Sequence, residues 1–221
     1  MSLIADSSQQ TGSLNTTDQL SSACEPSLQQ KVAAMLCRTF RALLADLKRT
    51  WQILAEPRYS LPADQLHTAA AGAIAQAHRL RRLVESRVDD GLFVEAHDDL
   101  RPKHIFLLEP EPVIIDCLEF NRALRILDPA DDLGFLALEC ERLGLPWALE
   151  TLFEPYRRIC DDRPPETLIH FYQSYRAAVR AKLAIRHLDE ARFRDSPKWQ
   201  QRAMTYVKLA CLHLQKCSAT L

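Results

Sequence analysis

The stretch "HDDLRPKHIFLLEPEPVIIDCLEF", His97 to Phe120, decides how this chain is read. Two apolar, β-prone runs, "HIFLL" and "PVIID", flank Glu109-Pro110-Glu111, a compact turn with charged neighbours, and together they predict a short hairpin. Asp99 stands in the loop before the first run, His104 follows five residues later, and Asp116 closes the second run seventeen residues after Asp99. Phosphoryl transfer needs a carboxylate to orient or deprotonate the attacking hydroxyl, and further ligands to hold Mg2+ against nucleotide phosphates. A loop that runs into a hairpin brings both to one mouth.

The flanking chain is helical in pattern. Val32, Leu36, Phe40, Leu43, Leu47, Trp51 and Leu54 recur at three- and four-residue steps, predicting a helix from Leu28 to about Glu56, ended by Pro57. A second helix, Ala63 to Arg87, carries an alanine-rich body and stops at Gly91. "LFVEA", Leu92 to Ala96, reads as a short β-prone run. After the hairpin, "DPADDLGFLALECERLG" predicts a helix begun by Asp128, with Pro129 at its first position, and closed at Gly144. Three more helical patterns follow. The fold class is therefore mainly α with a small β-hairpin, and residues 1–28, rich in Ser, Thr, Gln and Asp, are expected to be a disordered tail.

The 221 residues, 47% hydrophobic and 26% charged, suit one globular domain or one plus a tail. A net charge of -1 provides no bulk reason to expect nucleic acid or an anionic membrane. Seven cysteines without a C-x-x-C pair favour reduced thiols, no run approaches eighteen apolar residues, and the first thirty residues lack a signal-peptide pattern. These features predict a cytoplasmic protein with no nucleic-acid or membrane partner. Arg79 to Arg87, and Arg176, Arg180, Lys182 and Arg186, read as solvated basic helix faces. The patterns expected of P-loop, zincin and nucleophile-elbow enzymes do not occur.

The words "HDDLRPKH" and "IIDCLEFN" resemble the catalytic loop H-G-D-L-x-x-x-N and the metal-binding I-D of the aminoglycoside phosphotransferase family. "IDCLEFN", "LRILDPADDLGFLALECERLG" and "FYQSYRAAVRAKLA", in that order, resemble an uncharacterised bacterial subgroup of phosphotransferase-like proteins, over a span from about Ala77 to Leu214. The resemblance implies a kinase-like C-terminal helical lobe over 91–221, preceded by a helical extension over 29–90. It implies Asp99 as catalytic base and His97 as the residue holding its loop. Asp116 becomes the Mg2+ ligand, with His104 where the family has asparagine, and Asp132 a buried brace for the loop. The implied cofactors are Mg2+ and ATP, and the implied substrate is a small hydroxylated molecule.

The pattern breaks at two places. Asp98 replaces the glycine of H-G-D, adding a charge beside the base, where like charges raise one another's pKa and repel phosphate. The β-rich lobe that clamps ATP, with its glycine loop and strand lysine, has no counterpart upstream of Asp99, where Lys31 and Lys48 sit on a helical pattern. Either a second copy of the chain or a separate N-lobe chain would have to cover the site, with Phe40 and Trp51 as one candidate oligomer contact. The alternative function is a non-catalytic pseudokinase or interaction module, a truncated kinase homologue that keeps the lobe for its surface.

Overall fold

The computed structural model describes residues 40–117, 119 and 122–219. The expected tail over 1–28 and the start of the first helix lie outside them. Helix α1 runs over 40–54 and buries Phe40, Leu47, Trp51 and Leu54, the periodic face read from the sequence. Pro57 opens a single 3-10 turn, Pro57–Tyr59, and Ser60 in the left-handed region turns the chain into α2, Ala63–Asp89. Leu66, Ala69, Ala73, Ala77, Val84 and Val88 form its buried face. Gly91, at φ 73°, then supplies the positive φ that a side chain would resist.

Two small antiparallel strand pairs follow in place of one hairpin. β1, Val94–Glu95, pairs with β4, Ile126–Leu127, so that Val94 faces Leu127. Between them lies the expected hairpin: β2, Ile105–Phe106, against β3, Val113–Ile114, with Ile105 opposite Ile114. Its tip is apolar and exposed at Leu107 and Leu108. The remaining helices are α3 (Pro129–Arg142), α4 (Ala148–Cys160), α5 (Glu166–Ile185) and α6 (Pro197–Ala219). As the sequence predicts, Asp128 caps α3 by accepting from the Ala130 N–H at 2.9 Å, and Gly144 leaves that helix at φ 90°.

α5 is the central helix, packed against α6, α3 and α2. Ala177, Ala178, Ala181 and Ala184 on α5, with Ala203 and Ala210 on α6, are buried and small enough to bring the two backbones close. One apolar cluster extends from Phe40 and Trp51 through Ala77, Phe135 and Ile169 to Tyr206 and Cys217, so the segment over 40–90 shares its core with the chain after 91. Phe40 and Trp51 are thereby spent inside the molecule, and that face of α1 is not available for an oligomer contact. Among the described residues no helix is long and apolar enough to cross a membrane.

Arg87 also departs from the solvated face expected for Arg79 to Arg87. It is buried, and its guanidinium donates to Asp128 at 2.6 Å and to Asp162 at 2.6 and 2.8 Å. The Tyr156 hydroxyl donates to Asp162 at 2.6 Å and that of Tyr172 to Asp128 at 3.2 Å, so every charge in the group has a partner. This ties the end of α2 to the start of α3 and to the turn between α4 and α5.

Candidate functional site

Strand β1 delivers the chain into the loop that holds Asp99. The Ala96 N–H donates to the Arg125 carbonyl at 2.8 Å, and the His97 N–H donates to Asp132 Oδ2 on α3 at 2.9 Å. His97 Nε2 lies 2.8 Å from the Ile115 carbonyl. A carbonyl can only accept, so Nε2 carries the proton and Nδ1 presents a lone pair to the Asp99 N–H, 3.3 Å away. One imidazole thus joins the loop to the end of β3. Its ring lies 5.7 Å from that of His104, stacked at 29°.

Asp98 sits at φ 65°, a backbone conformation that glycine takes without strain. Arg176 on α5 compensates. Its guanidinium donates to the Asp98 carboxylate at 2.8 Å and the Asp98 carbonyl at 3.0 Å, and makes a bidentate pair with Asp131 at 2.7 Å. Burial opposes the Arg176 charge, but the Asp131 and Asp98 carboxylates outweigh it and hold the group charged. The Asp98 carboxyl is raised above the usual range, first by burial and then by Asp132 and Asp99, against the pull of Arg176. The added charge foreseen beside the base is therefore paired and turned toward α5. Asp132 is likewise raised, chiefly by burial, and its Oδ1 is buried without a hydrogen bond.

Asp99 projects from the loop with its carboxylate partly exposed and ion-paired to Arg101. Leu100, buried at 8% exposure, anchors the loop from below, and a 3-10 turn, Pro102–His104, leads into β2. The buried His104 reaches back through Nδ1 to the Asp99 carbonyl at 2.9 Å, and its own carbonyl accepts from the Ile115 N–H at 3.0 Å. Asp116, at φ 65° just past β3, is exposed, with Oδ2 3.0 Å from His104 Nε2. Asp99, His104 and Asp116 each offer a ligand atom within 4.8 Å of the others.

The donor set fits a small divalent cation. Because Nδ1 donates to a carbonyl, a neutral His104 turns the Nε2 lone pair toward the Asp116 carboxylate. Two acceptors then meet at 3.0 Å, with an Arg101 guanidinium nitrogen 3.4 Å from the same Nε2; that guanidinium, a proton on Nε2 or a shared cation can relieve the conflict. Neighbouring ligands on an octahedral ion with bonds of about 2.1 Å stand about 3 Å apart. Two carboxylates suit Mg2+, while the imidazole widens the choice toward Mn2+ or Zn2+. The Arg101 guanidinium on Asp99 is the opposing charge.

Of the five residues singled out in the sequence, Asp99, His104 and Asp116 meet at this mouth, while His97 and the buried Asp132 hold the loop backbone behind it. Arg101, Asp131 and Arg176 were not singled out. The sequence places Arg176 on a solvated basic face, because its partners Asp98 and Asp131 lie 78 and 45 residues away. The one available signal is an arginine on α5 placed beside the tyrosines Tyr172 and Tyr175, and it does not specify those partners. Beside Arg101 opens a cavity of about 710 Å3, lined by Lys103, Arg142, Arg180, Trp199 and Arg202 among others.

Comparison with known proteins identifies uncharacterised proteins of Mycobacterium tuberculosis (strain H37Rv) and Mycobacterium bovis. Each is 35% identical to this chain over 139 residues, which is 63% of this chain and 27% of the relative. The chain thus matches about a quarter of the length of these relatives. No family model matches, and no solved structure does.

Proposed function

We propose that the chain is the helical lobe of an aminoglycoside phosphotransferase-like enzyme that moves a phosphoryl group from ATP to the hydroxyl of a small molecule. The observation that carries this reading is the meeting of Asp99, His104 and Asp116, which come from a loop, the end of a 3-10 turn and the chain just past β3, within 4.8 Å at one mouth. When bound, Mg2+ and ATP supply the phosphoryl group and offset its charge. Asp99 orients the acceptor hydroxyl and takes its proton. Arg101, paired to Asp99, places a guanidinium where negative charge grows during transfer. Asp116 and His104 would hold the cation, and His97 and Asp132 hold the loop backbone. Helices α1 and α2 offer no strand lysine or glycine loop, so this reading draws the remaining nucleotide contacts from outside the described residues, a second copy or a separate N-lobe chain among the sources.

The second reading, a non-catalytic pseudokinase module, draws on the same Arg101, whose guanidinium already occupies the Asp99 carboxylate. The two readings part on the thermal unfolding midpoint of the full chain with and without MgATP. A ligand at a hundredfold excess over Kd stabilises the native state by about 2.7 kcal/mol. The enzyme reading expects a rise with MgATP that Asp116→Ala abolishes. An unchanged midpoint, together with no transfer to any hydroxylated acceptor, means that this chain alone is not a kinase and favours the module.

A further inference from the structure

The cavity beside the loop has a chemistry of its own. Arg101 and Lys103 come from the turn after Asp99, Arg142 from the end of α3, Arg180 from α5 and Arg202 from α6, so four separate parts of the chain converge on it. Five cationic side chains thus line one cavity of about 710 Å3, against Glu139 as the acid of its wall. Glu139 is already engaged: it accepts from the Tyr206 hydroxyl at 2.7 Å and from Arg142 at 3.1 Å, and is buried. It has little left to offer a cationic ligand.

The cations are less well satisfied. Arg101 Nε and Arg180 Nε are buried N–H groups with no hydrogen-bond partner, two of four such side-chain donors among the described residues, and both residues belong to this lining. Arg180 Nε stays 4.0 Å from Glu139, beyond hydrogen-bonding distance. Unpaired buried donors are costly, and these two leave their guanidinium groups without the full set of protein acceptors they could bind. Trp199, with the His187 ring 3.8 Å from its own, and Leu183 add a flat apolar wall. The cavity therefore pairs charge recognition with a surface for a ring or carbon skeleton.

We propose that this cavity is the acceptor pocket and takes a small hydroxylated molecule carrying a phosphate or carboxylate group, not a polycation of the aminoglycoside kind. The assignment as acceptor pocket rests on the phosphotransferase reading, through Arg101, which joins the cavity to Asp99. The anionic group meets Lys103, Arg180 and Arg202, and a hydroxyl of the same molecule is directed toward Asp99.

The test is calorimetric titration of the full chain with a hexose phosphate, inorganic phosphate, gluconate and kanamycin. A hexose phosphate or gluconate binds, more weakly as salt rises, and kanamycin does not; preference between these two tells phosphate from carboxylate recognition. Lys103→Glu, at an exposed position, and Arg180→Gln each weaken binding about tenfold or more, as expected for the loss of a charge-assisted contact. The proposal is overturned if kanamycin binds and the anions do not, or if Lys103→Glu binds the anions as the parent does. Anion binding without a MgATP response or transfer keeps the pocket and removes the phosphotransferase reading. Transfer to an uncharged acceptor without anion binding does the reverse.

Discussion

Asp99 illustrates how much a single residue can disclose before the chain is folded. Its spacing from His104 and Asp116 is a property of the linear sequence, and in the folded chain the three share one mouth. Its immediate neighbours were less legible. Asp98 read as a charge that harms the base, yet Arg176 binds both its carboxylate and its carbonyl. An ion pair across 78 residues leaves no periodic trace, because its partners are matched by position in space. Replacing Asp99 with Asn should lower phosphoryl transfer by about 10²- to 10⁴-fold, the usual worth of a general base. The thermal midpoint should change little, since the carboxylate is partly exposed; an unchanged rate in that variant removes Asp99 from the chemistry.

At the scale of elements, Asp128 serves two functions that one substitution series separates. It caps α3 through the Ala130 N–H and neutralises the buried Arg87. Asp128→Asn keeps a capping oxygen but removes the charge, and breaking a buried pair costs about 3–5 kcal/mol. Asp128→Ala should cost about 1 kcal/mol more for the lost cap. Urea unfolding of the two variants gives the difference directly, and equal stabilities would mean that the cap contributes nothing.

A second junction joins α3, α5 and α6 through histidines. His213 Nε2 lies 2.9 Å from Glu141, and its Nδ1 lies 3.2 Å from that of His170. Burial lowers the His170 pKa below 6.5, so between that value and its folded one the unfolded chain binds more protons and stability falls as pH falls. Glu141, held low chiefly by its hydrogen bond with His213, contributes stability above 4.5 that is lost as pH falls through its folded pKa. Asp98 and Asp132, raised by burial, act oppositely: the folded state binds more protons, so acidification through their raised values adds stability. The stability carried by His170 should therefore be lost as pH drops below about 6.5, so the thermal midpoint should respond less unfavourably to acidification in His170→Gln than in the parent. Identical slopes would exclude His170 as the source.

On the scale of the whole molecule, the shared core predicts one cooperative transition. Trp51 on α1, Trp147 before α4 and Trp199 near the start of α6 sample both sides of residue 91. Tryptophan fluorescence and far-ultraviolet circular dichroism should therefore trace coincident unfolding curves. A separate early loss of helix signal would show that the segment over 40–90 folds as its own unit. The sequence separates an extension from a lobe because a change of texture at Leu92 is visible in one dimension. It does not reveal that Phe40, Ala77 and Tyr206 meet in one cluster.

Helix positions, the caps at Asp128 and Gly144, the hairpin and the Asp99, His104 and Asp116 spacing follow from the sequence by itself, because periodicity, turn chemistry and short loops act between near neighbours. The pairing of β1 with β4, the burial of Arg87 and Arg176 among distant carboxylates, and the convergence of five cations on one cavity were decided only by the tertiary structure. Each depends on which surfaces α5 brings together, and a charge shows its partner only once desolvation has forced it to find one.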